Sequence, residues 1–227
     1  MSDHAEGASS AAEGASRRRQ VKWSVGDADT YGVSLERDVM AAARECGTRL
    51  VPGRPLPWLT SRGHLEPRVQ RDAPGDVIDL LDDIHRMLGG NRAALAHRHA
   101  DDVRPDLIVA DTGQLLEVDE LQHFTAARRQ TLACYPAKLS FGFSIDDYRA
   151  LIDTWLAKAH AVFTRRWSPD FDFCGGRRAH RAYQDAVKDL LAPVFTGLPV
   201  LRVPVPDRDV DATRRLLMPP VPTLLAS

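Results

Sequence analysis

Residues 104–124 read RPDLIVADTGQLLEVDELQHF. Leu107, Ile108 and Val109 are β-prone, Asp111-Thr112-Gly113 is a turn signal, and Leu115, Leu116 and Val118 resume the apolar run. Two short strands joined by a tight turn follow from that pattern. Carboxylates sit at the ends of these otherwise apolar strands: Asp106 before the first, Glu117 and Asp119 in the second. With the turn centred between Thr112 and Gly113, Asp106 lies opposite Asp119 and Ile108 opposite Glu117. Residues two apart share a face of a strand, so Asp106, Glu117 and Asp119 project from one side of the hairpin. Three carboxylates on one face repel one another, and burying them without a counter-charge is costly. A bound divalent cation relieves both problems, and oxygen-only ligation suits Mg²⁺ or Mn²⁺ rather than zinc.

The rest of the chain surrounds this hairpin with helices. Ser34 caps and Gly47 stops a helix to about Cys46, with Leu35, Val39, Ala42, Ala43 and Cys46 on its buried face. Glu36 falls in its first turn, where the helix dipole favours a carboxylate. A short strand is expected at 49–51. The remainder of 48–75 carries five prolines and reads as a loop or lid, long enough to suggest function. Residues 76–88 make an amphipathic helix ended by Gly89-Gly90. The cluster His97, His99, Asp101, Asp102 sits in a polar run and reads as a solvated segment rather than a metal site.

Beyond the hairpin, Thr125 caps a short helix to Cys134, and Ser144 opens a longer one burying Tyr148, Ile152, Trp155 and Ala159. Residues 161–164 are expected to be a strand. Gly175-Gly176 feeds a helix to about Leu191, and the prolines of 198–205 make that stretch an edge strand. The fold class is α/β (α+β): a small central mixed sheet flanked by helices. Residues 1–20 read as a polar tail, 21–205 as one domain, and 206–227 as a surface extension.

Composition narrows the function. Net charge is −1, so contact with a polyanion needs local basic patches. Candidates are Arg17–Arg19 beside Trp23, Arg128 and Arg129 just after the acidic stretch, and Arg177, Arg178 and Arg181 at a helix start, where free N–H groups favour phosphate. The three cysteines, Cys46, Cys134 and Cys174, form no CxxC pair. Neither a zinc ribbon nor a disulfide framework is indicated, and a reducing cytoplasmic setting is expected. No apolar run approaches the roughly 20 residues of a membrane span, and the N-terminus lacks the apolar core of a signal peptide.

Pro105-Asp106, an interval, then Glu117-x-Asp119 resembles the PD-(D/E)XK nuclease superfamily, whose restriction-endonuclease-like core has three layers. LLEVDELQHF looks most like the E-x-D-x-x-x-H variant of small bacterial endonucleases related to very-short-patch repair enzymes. The resemblance implies that Asp106 and Glu117 hold the metal, that Asp119 stands at the usual lysine, and that His123 matches the variant's histidine. Glu36 matches a glutamate that members often add from the first helix. The departure is the absent lysine two residues after Glu117. An E-x-Q reading of Glu120-Leu121-Gln122, or a cation from Arg128 or Lys138, would repair it. The implied function is metal-dependent endonucleolytic hydrolysis of nucleic acid, DNA foremost. The alternative is an inactive nucleic-acid- or protein-binding module on the same fold. Nucleases of this kind often dimerise to cut both strands, which makes a homodimer the analogy-based expectation.

Overall fold

The computed structural model describes residues 28–163 and 168–217, with side chains from 35 to 161 and from 168 to 217. The polar tail, the 17–19 basic run and residues 218–227 of the C-terminal extension lie outside the described residues. Within them the architecture is mixed α/β, with eight α-helices and four strands.

In chain order these are α1 (Ala28–Glu45), β1 (Leu50–Pro52), α2 (Pro67–Asp72), α3 (Gly75–Met87), α4 (Arg92–Ala96), β2 (Leu107–Val109) and β3 (Leu115–Asp119). Then come α5 (Ala126–Ala133), α6 (Ile145–Phe163), α7 (Gly176–Thr196), β4 (Leu201–Pro204) and α8 (Asp211–Leu217). No described helix is long and apolar enough to cross a membrane.

The sheet has the order β1-β2-β3-β4. β2 runs antiparallel to both β1 and β3, and β4 joins β3 in parallel at the far edge. Edge placement suits β4, whose Pro204 has no N–H to give a further strand. Strand alternation divides the core. Leu107, Val109, Leu116, Val118 and Val203 face Leu35, Val39 and Ala43 of α1 and Ala212 of α8. Ile108 and Leu115 face the larger cluster built by α3, α5, α6 and α7. Helices therefore cover both faces of the sheet. By the same alternation Asp106, Glu117, Asp119 and Arg202 belong to the α7 side.

Four expectations change, the first being the start of α1: the helix runs from Ala28, so Ser34 lies inside it rather than at its cap. The hairpin turn is centred between Asp111 and Thr112: Val109 and Gln114 close it (N···O 2.9 Å), and the Gly113 N–H returns to the Val109 carbonyl at 2.8 Å. Gly113 holds φ 75°, a conformation glycine adopts without penalty. Leu107 accordingly pairs with Leu116 and Ile108 with Leu115, a register that sets Asp106 opposite Glu117 rather than Asp119. The displacement is two residues, so every side chain keeps its face while its partner changes.

Residues 161–163, expected in a strand with 164, are the last turn of α6; residue 164 lies outside the described residues. The 48–75 section is no free lid. It contains a 3₁₀ turn (Gly63–Leu65) and α2, which starts on Pro67. Trp58, Leu59 and Val69 are buried, and Trp58 stacks on Phe195 at 5.2 Å. The segment is a packed wall.

Candidate functional site

On the α7 side of the sheet lies a cavity of about 230 Å³. One end carries Asp106, Glu117 and Asp185; the other carries Arg98, Arg177, His180 and Arg181. Arg177, His180, Arg181, Gln184, Asp185 and Lys188 follow one another at helical spacing, so a single stripe of α7 makes one wall. Glycines 175 and 176 open this helix, with Gly175 at φ 89°, and Gly176 lies so close to the Phe171 carbonyl that a Cβ would collide with it.

Glu117 is 1 % exposed. Its Oε2 accepts a hydrogen bond from the Lys188 ammonium, and its buried Oε1 has no partner. Burial pushes the Glu117 carboxyl up to about 8, with Asp106 adding to the rise, against the pull of Lys188 and Arg202. Burial drags Lys188 downward, but Glu117, Asp106 and Asp185 outweigh it and hold the ammonium above its ordinary range. Asp106 is half-buried and anchored: its Oδ2 accepts the Val118 N–H at 2.8 Å. Glu36 of α1 is also half-buried. Burial first, then Asp106 and Glu120, raise its carboxyl above the ordinary value. Glu36, Asp106 and Glu117 thus form a chain of mutually repelling acids with one ammonium among them. A buried carboxylate oxygen without a donor, in a local excess of negative charge, fits a divalent cation. Asp106 and Glu117 would hold it, with Glu36 adding to its field.

Lys188 was not among the residues that sequence reasoning nominated. Of the two cations considered there, Lys138 is exposed and pairs with Asp76 at 3.6 Å. Arg128 is fully buried, bonded to Asp189 at 2.6 Å and to the Tyr135 hydroxyl at 2.8 Å. Lys188 had one sequence signal: it continues the polar stripe of Arg177, Arg181 and Gln184 into the buried part of α7.

Asp119, expected as a metal ligand, lies in a buried network of charges. Arg202 of β4 donates to both of its oxygens, at 2.8 and 3.0 Å, and Tyr148 donates to Oδ2 at 2.8 Å. The same guanidinium meets Asp189 at 2.9 Å and Asp185 at 3.4 Å. Burial works to raise the Asp119 carboxyl, but Arg202 and His123 prevail and it ends below the ordinary value. Asp119, His123 and Asp185 are the one described group of three ligating side chains whose donor atoms lie within 4.8 Å of each other. The spacing of these donors could hold a metal ion; in this structure Arg202 supplies positive charge to the same carboxylates.

His123 is held inside that network. Its Nδ1 meets Asp185 at 3.0 Å and Asp119 at 3.2 Å, and its Nε2 takes an N–H of Arg181 at 3.0 Å. This geometry aims Arg181 into the cavity. His123 thereby positions Arg181 and joins it to Asp119 and Asp185. Gln122, on the 3₁₀ turn Leu121–His123, does not line the cavity, so the E-x-Q alternative has no support from geometry.

The arginine candidates divide. Arg177 and Arg181 line the cavity. Arg178, beside them in sequence, does not, and its guanidinium lies over Gly175. Arg128 belongs to the core, where Tyr135, Phe143 and Tyr148 surround its guanidinium. Arg129 is exposed and pairs with Asp153 at 2.7 Å. His97 and His99 form no metal group among the described residues, and His99 points to solvent against Asp101. Comparison with known family models, with curated proteins and with solved structures finds no match to this chain.

Proposed function

We propose that the protein is a divalent-metal-dependent phosphodiesterase, an endonuclease of restriction-endonuclease-like fold acting on nucleic acid, with DNA the favoured substrate. The observation that carries this reading is the triad of Asp106, Glu117 and Lys188. Two acids face each other across β2 and β3, and the second bears a buried ammonium on one oxygen and nothing on the other. Lys188 stands in for the lysine missing from position 119. The chain order supports the same reading, with a helix, a hairpin, further helices and a later strand parallel to the second hairpin strand.

Asp106 and Glu117 would hold a Mg²⁺ or Mn²⁺ ion, which would supply Lewis-acid chemistry to a phosphate and a water. The chain's own groups do the rest. Lys188 presents its ammonium beside the reacting phosphate, where it steadies the negative charge that builds in the transition state. Glu117, raised by burial, would have to lose its proton to hold the ion. Arg177 and Arg181 hold the polyanion against the cavity wall. Arg202 keeps Asp119 away from the centre and fixes β4 against β3.

Cleavage of plasmid DNA, single-stranded DNA and RNA with Mg²⁺ or Mn²⁺, and with chelator, tests the reading with Glu117→Ala beside wild type. Metal-dependent cutting that is lost in Glu117→Ala is expected. No cutting on any substrate together with no calorimetric Mn²⁺ binding would refute it and leave the inactive binding module.

A further inference from the structure

The basic end of the cavity has features that the chemistry at Glu117 does not use. His180 is 8 % exposed, and its two ring nitrogens meet guanidinium groups: Nε2 faces Arg98 at 3.1 Å and Nδ1 faces Arg177 at 3.2 Å. Burial lowers His180 to about 4, so the ring is neutral near pH 7. A neutral imidazole has one accepting nitrogen, so one of these contacts sets donor against donor. Arg98 also has Asp170, at 2.7 Å. Next along the stripe, Arg181 donates to His123 Nε2. The same imidazole meets Asp119 and Asp185 through Nδ1, which holds the Arg181 guanidinium in place against the cavity. One turn further, both ends of the Gln184 amide are buried in the cavity wall without a partner. Buried polar groups are normally bonded. Here the unpartnered Gln184 amide and the Arg181 guanidinium converge on one space that Arg177 also lines, a demand that an oxyanion meets.

We infer that Arg177, Arg181 and Gln184 form a second phosphate subsite, which grips a non-scissile phosphate of the same substrate strand. The inference rests on the phosphodiesterase reading and deepens it. Arg181 and Lys188 are seven residues apart on α7, about 10 Å along its axis, so the two phosphates belong to neighbouring parts of one strand. Its source is either a terminal 5′-phosphate or the next internal phosphate. His180 and His123 are positioning residues that orient the two arginines.

The test is binding of short 3′-labelled single-stranded DNA, with a 5′-phosphate or a 5′-hydroxyl, in chelator, where nothing is cut. Affinity is measured against salt for wild type, Arg181→Ala, Arg181→Lys and the Arg177→Ala/Arg181→Ala pair. Losing one phosphate contact lowers the slope of log K against log salt by about 0.7 on a single strand. Arg181→Ala is expected to show that fall, the pair about twice as much, and Arg181→Lys little. A merely structural arginine would change affinity without changing the slope. A 5′-phosphate preference that disappears in Arg181→Ala identifies the terminal source; a slope change indifferent to the 5′ group identifies the internal one. A pair variant with wild-type slope and affinity overturns the subsite, and the phosphodiesterase reading then stands or falls on Glu117-dependent cleavage alone. If wild type binds no DNA, inorganic phosphate is titrated against the Gln184 side-chain amide signal, assigned by its absence in Gln184→Ala. No response there also overturns the subsite.

Discussion

Replacing Arg202 by methionine tests the claim that Asp119 is balanced by a protein cation. Arg202 is 1 % exposed and bonds Asp119, Asp185 and Asp189. Removing one partner of a buried ion pair costs about 3–5 kcal/mol, because the other is left charged and dry. Three carboxylates depend on this guanidinium, which puts the expected loss near the top of that range. That is a large share of the about 5–15 kcal/mol that holds a domain folded, and it corresponds to a fall in Tm of about 10–20 °C at this chain length. Urea unfolding at pH 7 reads it directly. Adding Asp119→Asn should recover part of the loss, since an unpaired carboxylate is the main cost. Acid should act in the same sense. Asp119 and Asp185 are both held below their ordinary value of 3.8, where burial is overcome by Arg202 and His123. Their contribution is therefore present above that pH and is lost as pH falls through their lowered values. The variant should begin to lose this contribution at higher pH than wild type. A loss below about 1 kcal/mol in Arg202→Met would refute the reasoning and reopen the Asp119 group as a metal site.

Lys188→Ala should lower single-turnover cleavage by about 10²–10³, the usual effect of deleting one donor to a transition-state oxyanion; a rate within threefold of wild type, by about any assay, would remove Lys188 from the chemistry. Because Glu117 is raised to about 8, its proton must leave before it can ligate. Mn²⁺ affinity should then climb by about tenfold per pH unit up to that value, with proton release visible as a buffer-dependent heat. A flat profile between pH 6 and 8 would contradict the raised value. Arg128→Ala should cost about 3 kcal/mol, the low end for a broken buried pair, because Arg202 and Tyr135 still meet Asp189, whereas Arg129→Ala on the exposed surface should stay within about 0.5 kcal/mol. Equal effects in thermal unfolding would place Arg128 outside the core.

What could be read in the sequence was local. Strand alternation has a period of two, so the common face of Asp106, Glu117 and Asp119 follows from their numbers alone, and it survived a two-residue error in register. That error came from the turn, where the αL position of Gly113 and its bond to Val109 select a four-residue loop over a tighter one. Helix periodicity located α3, α5 and the core of α7, because each stripe needs only neighbours within a few turns. Which cation meets which acid could not be read this way. Lys188 lies 71 residues from Glu117 and Arg202 lies 83 from Asp119. A lysine on an amphipathic helix reads as solvated until the sheet is laid against that face. Arg128 and Arg129, adjacent in sequence, part into core and surface for the same reason. Sequence determined which residues share a face; tertiary packing decided which charges are dry, and burial is what makes a charge choose its partner.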